Sequence, residues 1–196
     1  MLSPRQMIIT ISGDAGSGKS TVAKILVEKL QAERVYGGGI FREIAKEKKM
    51  VLEEFLDYIK HNPEIELLID KKIKEKADRL SKQGRTVIVE SRVQFHFIPS
   101  SIKVFLKVDL DEAAKRIWKD LSDLKTSLSR NEALTSSLNE TEQKILTRNK
   151  TDRERYKKLY HIDIYNLKNF NLVVDTTKIT PQQAAEKILD YTHENS

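Results

Sequence analysis

The sequence predicts an α/β protein built on a parallel sheet, and three observations carry that prediction. Apolar, β-branched runs recur along the chain at Met7–Ile11, Thr86–Val89, Ile102–Val108 and Asn171–Asp175. Between them lie segments whose apolar residues return at helical spacing. The first run leads directly into a glycine-rich loop and then a helix, the order of a βα unit whose strands pair in parallel. No internal repeat or linker is visible, and 196 residues suit a single domain with a proper core.

Taken in order, residues 1–5 read as a frayed lead-in and Met7-Ile8-Ile9-Thr10-Ile11 as the first strand. The next helix runs to about Gln31, with Val22, Ile25, Leu26 and Leu30 on one face. Arg34-Val35-Tyr36 is a short extended piece, and Gly37-Gly38-Gly39 reads as a flexible turn. Ile40, Phe41, Ile44 and Ala45 mark a helix to Lys49, and Leu52, Phe55, Leu56 and Ile59 mark another, closed by His61-Asn62-Pro63. Ile65, Leu68, Ile69, Ile73, Ala77 and Leu80 give a long amphipathic helix ending near Gly84. Thr86-Val87-Ile88-Val89, followed by Glu90, and Ile102–Val108 have the continuous apolar character of buried parallel strands. Asp109 to Leu121 is helical, with Ala113, Ala114, Ile117 and Trp118 expected inward. Residues 122–140 are polar, rich in Ser, Thr and Asn, and read as a mobile lid. A long charged helix follows from Glu140 to Tyr160, then a last strand at Asn171–Asp175 and a closing helix opened by Pro181.

The loop after the first strand, Gly13-Asp14-Ala15-Gly16-Ser17-Gly18-Lys19-Ser20-Thr21, matches G-x-x-x-x-G-K-[ST] in its required strand–loop–helix setting. Its glycines let successive N–H groups converge on a phosphate chain, and the helix N-terminus adds its partial positive charge there. Lys19 then reaches the β/γ-phosphates and the Ser20 hydroxyl is placed to ligate Mg²⁺. A nucleoside triphosphate is the expected ligand.

Composition narrows the rest. There is no cysteine, hence no disulfide frame or thiolate metal site, and the four histidines are scattered. No apolar stretch approaches a membrane span, and no signal-like leader is seen, so a cytoplasmic protein without a membrane partner is expected. The net charge of +6 fits an anionic substrate. The basic residues alternate with acids along helices, which argues for solvated faces over a nucleic-acid surface.

Three groups of cations remain as candidate acceptor-site residues. Arg42 follows the glycine turn, and Arg92 lies just past a strand's carboxyl end, where parallel sheets bind ligands. Arg148, Asp152 and Arg155 are spaced i, i+4 and i+7, on one helix face. Two planar forks with a carboxylate between them suit a phosphate beside a hydroxyl or a base edge. On spacing alone, however, the trio reads first as an ordinary surface ion-pair ladder. Asn149-Lys150-Thr151-Asp152 imitates a guanine-reading N-K-x-D, but it stands inside charged helix, without the strand that motif needs.

Over nearly its whole length the chain resembles the cytidylate kinase family, in particular its short archaeal-type members. The likeness lies in Ile8–Gly13 with the P-loop, Gly38 with Ile40-Phe41-Arg42, and Glu90 with Arg92. It continues in Arg148-x-x-x-Asp152-x-x-Arg155-Tyr156 and Tyr160-x-Ile162-Asp163. The resemblance implies a P-loop NTPase fold with a five-stranded parallel sheet flanked by helices, a monophosphate-binding arm and a lid. On this chain that is one domain, with a core at 6–36, 85–118 and 160–196, an arm at about 37–84 and a lid at about 119–147. It implies transfer of the γ-phosphate of ATP to CMP or dCMP with Mg²⁺, by a monomer whose partners are small nucleotides. Lys19, Arg116 and Arg155 would be catalytic, Gly13 to Thr21 would bind ATP, and Gly38, Arg42, Arg92, Arg148, Asp152 and Arg155 would bind the acceptor. Within that set, Arg42 and Arg155 would hold the acceptor phosphate and Asp152 its ribose, while Arg116 would contact the transferring phosphates.

Two departures stand out. Ser91-Arg92 replaces the family's usual Gly-Arg, and Asp120 stands where a second lid arginine is common, leaving Lys119, Lys125 or Arg130 as substitutes. Glu90 could hold a metal-bound water or cap its strand. UMP, AMP or another phosphorylated acceptor remains open, as does a P-loop module that binds ATP and a partner without turnover.

Overall fold

The computed structural model describes residues 7–123 and 135–195. Lys125, Arg130 and the middle of the expected lid lie outside that description. Five parallel strands form the sheet: β1 (Ile8–Gly13), β2 (Glu33–Tyr36), β3 (Val87–Glu90), β4 (Ile102–Lys107) and β5 (Leu172–Asp175). Their order is β2-β3-β1-β4-β5, so β1 is central, with Ile9 beside Ile88 on one side and Ile102 on the other. The chain leaves β1 towards one edge and later returns to build the other. Such a reversal opens a crevice at the carboxyl ends of the strands.

The helices are α1 (Lys19–Leu30), α2 (Gly37–Glu47), α3 (Leu52–His61), α4 (Pro63–Lys82), the single turn α5 (Gln94–Phe97), α6 (Leu110–Ser122), α7 (Leu138–Tyr160) and α8 (Pro181–Glu194). Alternating strand residues face opposite layers. Ile9, Ile11, Ile88 and Leu106 point to α1 and α8, where Val22, Leu26, Ala184 and Ile188 close the packing. Val35, Val87 and Val89 point the other way, to Phe55, Ile59, Ile69 and Ile73 of α3 and α4. Each such fully buried aliphatic or phenyl side chain contributes about 1.5–3 kcal/mol. α6 and α7 join around Ala113, Ala114, Ile117, Leu121 and Ile145.

Four sequence expectations change. Gly37, Gly38 and Gly39 are the first turn of α2, not a flexible turn. Close packing selects glycine there, because a Cβ on Gly39 would lie 2.6 Å from the Tyr36 ring. Leu68 is 53% exposed, because the buried line of α4 runs instead through Glu66, Ile69, Asp70, Ile73 and Ala77. Trp118 is 39% exposed, one position off the buried stripe of α6. The Arg148/Asp152/Arg155 face is no surface ladder: Asp152 is 1% exposed and α7 also buries Thr141, Ile145 and Tyr156.

Candidate functional site

The glycine loop is pinned at both ends before any ligand is considered. The Asp14 N–H donates to Leu106 O at 3.0 Å, and the Asp14 carboxylate accepts from the Val108 N–H at 3.1 Å. Thr176 Oγ1 donates to Ser17 O at 3.1 Å, tying the loop to the residue after β5. Gly13 needs its missing side chain: at φ +143° a Cβ would stand 2.2 Å from Leu106 O. The loop thus sits hard against β4, with α1 starting at Lys19 directly behind it.

The Lys19 ammonium donates to Gly13 O at 3.0 Å and to Asp14 O, curled over the loop's own carbonyls. Burial, and then the Arg92 guanidinium, lower its pKa to about 7. An ammonium so destabilised gains much from a polyphosphate laid beside it. Ser20 Oγ donates to Glu90 Oε1 at 2.5 Å, and the other Glu90 oxygen pairs with Arg34. Glu90 therefore does more than end a strand: it joins the loop's hydroxyl to the sheet.

Over the loop lies a cleft of about 400 Å³, into which Lys19, Ser20, Glu90, Arg116 and Asp120 open. Arg116 is held by Glu112 Oε1 at 2.8 Å and Thr176 O at 2.9 Å. Beside the cleft is a recess of about 60 Å³ between Phe41, Leu52 and Leu56 on one side and Asp152, Arg155 and Tyr156 on the other. Gly38, Arg42, Arg92 and Arg148 line both spaces, which places them at the junction. Arg42 donates to Tyr36 Oη at 2.8 Å and to Gly38 O at 3.1 Å.

Asp152 is the hub of the recess. Arg155 Nη2 lies 2.9 Å from its Oδ1, Arg92 Nη1 lies 3.1 Å from its Oδ2, and Arg148 Nε lies 3.9 Å from its Oδ2. Burial alone would push its carboxyl up, but the guanidiniums of Arg92, Arg155 and Arg148 together hold it below the ordinary carboxylate value. Tyr165 Oη completes the array, accepting from Arg92 Nη1 at 2.9 Å and donating to Asn149 Oδ1 at 2.9 Å. Asn149 thus stands within helix α7 with its side chain bonded to Tyr165 beyond that helix, consistent with rejecting the guanine-reading motif.

All the acceptor-site residues named from the sequence converge on one crevice. Sequence reasoning missed Glu66, Asp70 and Gln94, which are buried behind the recess. Arg155 Nε lies 3.2 Å from Glu66 Oε2. Tyr160 Oη donates to Asp70 Oδ2 at 2.6 Å, and Gln94 Nε2 donates to Asp70 O at 2.9 Å. One signal was present: Glu66 and Asp70 fall in line with Ile73 and Ala77 on the buried stripe of α4. The aromatic run Phe95-His96-Phe97 does not line the recess; Phe95 packs on Phe170 and Phe97 on Tyr160.

A family model described as the cytidylate kinase-like family matches residues 8–178. The chain belongs to that family. Among curated relatives, the cytidylate kinase of Archaeoglobus fulgidus is 35% identical over 188 residues, 93% of each chain. The cytidylate kinase of Sulfolobus acidocaldarius is 37% identical, covering 93% of this chain and 92% of its own. A protein of Lacinutrix mariniflava named S-adenosylmethionine-dependent nucleotide dehydratase is 35% identical over 93% of this chain, a span that is 35% of its own length. The likeness to these kinases over nearly full length makes this family member a kinase. Among solved structures, the shikimate kinase of Acinetobacter baumannii superposes with a TM-score of 0.58 at 18% identity, covering 97% of this chain and 94% of that one. A protein of Eubacterium ventriosum superposes at 0.66 with 15% identity, covering 94% and 97%. Both share the P-loop kinase fold. No helix among the described residues is long and apolar enough to cross a membrane.

Proposed function

We propose that this kinase moves the γ-phosphate of ATP to the phosphate of CMP or dCMP. The observation that carries the reading is the junction: Arg92, Arg148 and Arg42 line both the loop's cleft and the adjoining recess. A donor phosphate over the loop and an acceptor phosphate at the recess would meet among those guanidiniums. The transition state spreads charge over equatorial oxygens, so catalysis is positioning and electrostatic stabilisation. Lys19 would neutralise charge at the β/γ-bridge, and Arg116 would do so from α6. Arg42 and Arg155 would align the acceptor phosphate in line for attack. The acceptor oxygen is already anionic, so no side chain need remove a proton.

The donor set suits Mg²⁺. Ser20 Oγ and Glu90 Oε1 are hard oxygens 2.5 Å apart at the loop, and this cation takes one or two protein oxygens plus phosphates and water. When bound it supplies charge neutralisation across the β- and γ-phosphates. Ser20 would ligate directly and Glu90 would orient a ligating water. The recess is lined by apolar Phe41, Leu52 and Leu56 and by polar Asp152 and Arg155, a combination that suits the face and the edge of a nucleobase.

The test is ADP formation from Mg-ATP with CMP, dCMP, UMP, AMP and GMP offered separately, with Lys19→Ala as control. Turnover fastest with CMP or dCMP and abolished in the control is expected. Fastest turnover with a purine or with UMP would overturn the assigned acceptor.

A further inference from the structure

We propose that Glu66, outside the cleft, is the positioning residue that aims Arg155 into the recess. The inference rests on the reading above that Arg155 meets the acceptor nucleotide. Glu66 is wholly buried on α4, and Arg155 on α7 is nearly so. Two edges of the Arg155 guanidinium face carboxylates: Nη2 lies 2.9 Å from Asp152 Oδ1, and Nε lies 3.2 Å from Glu66 Oε2, an ion pair without hydrogen-bond geometry. Nε and Nη1 are both buried with no hydrogen-bond partner, as are the two Glu66 carboxylate oxygens, and Arg155 lines the recess. A buried guanidinium nitrogen without an acceptor is costly unless a ligand supplies one.

The two clamps are not equivalent. Asp152 lies one turn away on the same helix, so it fixes Arg155 only relative to α7. Glu66 belongs to α4 and fixes the guanidinium relative to the neighbouring layer. A planar fork held at one edge can still swing about that contact; held at two, it presents its third edge in one direction. The Tyr156 ring, 4.8 Å from the guanidinium carbon, closes one face.

Stability does not explain Glu66. A buried ion pair is commonly no more stabilising than apolar residues of the same volume, while it does fix geometry. Nor is the carboxylate comfortable: burial raises its pKa to about 7, Arg155 opposes the rise, and Asp70 one turn on adds to it. Asp70 has partners of its own in Tyr160 and Gln94, whereas the groups that favour the Glu66 charge are Arg155 first and the Tyr156 hydroxyl second.

The experiment measures kcat, KM for CMP and KM for Mg-ATP in wild type, Glu66→Gln, Glu66→Asp, Arg155→Ala and the E66Q/R155A double variant. E66Q keeps the shape and drops the charge, and should raise KM for CMP about tenfold while changing KM for Mg-ATP less than about twofold. E66D retains the charge one methylene short and should fall between wild type and E66Q. In the R155A background E66Q should add less than about twofold, because the carboxylate acts through the missing guanidinium. A normal KM for CMP in E66Q, with R155A impaired, would overturn the role of Glu66 and leave the acceptor site standing. Equal losses for both substrates in E66Q would reduce Glu66 to a packing residue. A normal KM for CMP in R155A would overturn the acceptor role of Arg155, and this inference with it.

Discussion

Replacing Asp152 by asparagine removes one negative charge from among three guanidiniums and changes almost nothing in shape. The side chain is 2% exposed, with Arg92 at 3.1 Å and Arg155 at 2.9 Å. At those separations each attraction is worth about 5 kcal/mol at an effective dielectric of 20, largely offset in the native protein by desolvation. Removing the carboxylate leaves the desolvation of the arginines uncompensated, which typically costs about 3–5 kcal/mol. With a urea slope of about 3 kcal/mol/M for a chain of this size, the midpoint should fall by about 1–1.7 M at pH 7. The sign of the pH dependence is also fixed. Asp152 has a depressed native pKa, so its stabilisation is full above the ordinary value of 3.8 and fades as pH falls through the native one. The gap between the two proteins should therefore be flat from about pH 5 to 8 and close in stronger acid. Added inorganic phosphate should stabilise Asp152→Asn more than wild type, by supplying the missing negative charge. A loss below about 1 kcal/mol at pH 7 would refute this reasoning and return the trio to a screened surface ladder.

Three further outcomes are expected. Bound ATP should restore the charge on Lys19, whose pKa burial lowers to about 7. Calorimetry in buffers of different ionisation enthalpy at pH 8 should then show proton uptake in wild type and none in Lys19→Ala; equal uptake in both would exclude Lys19 as its source. Glu90→Gln should raise the Mn²⁺ concentration for half-saturation of the ATP complex about tenfold, the size seen when a metal's supporting carboxylate is lost; unchanged binding would confine Glu90 to its contacts with Ser20 and Arg34. Gly13→Ala should melt several degrees below Gly18→Ala. Both carry backbone strain, but a Cβ at Gly18 has nothing within 4 Å whereas at Gly13 it strikes β4; equal melting temperatures would show that β4 yields.

How much could be read in advance depended on how contiguous each part is. The phosphate loop is a run of nine residues, so its chemistry is spelled out between Gly13 and Thr21. The strands were legible because both faces of a parallel sheet are covered and their apolar character is continuous. The acceptor side is assembled from α2, α3, β3 and α7, and spacing could show that Arg148, Asp152 and Arg155 share a face but not that the face turns inward. Glu66 was harder still, since an acid on a helix rich in charge looks solvated until the helix opposite it is known. The triple glycine misled for a related reason: its purpose is to admit the Tyr36 ring and the end of β3, and neither neighbour is visible locally.

The central place of β1 has a consequence for how the chain comes together during synthesis. Its hydrogen-bonding partners on both sides are β3 and β4, which emerge some eighty and ninety-five residues later. Until then this buried strand has two bare edges, and the loop that follows it has no β4 to rest against. Its apolar face waits longer, because Ala184, Ala185 and Ile188 in α8 complete the packing that begins at Ile9. The earliest of the five strands is therefore among the last to be finished, and its folding rate is governed by closing long loops more than by any local preference.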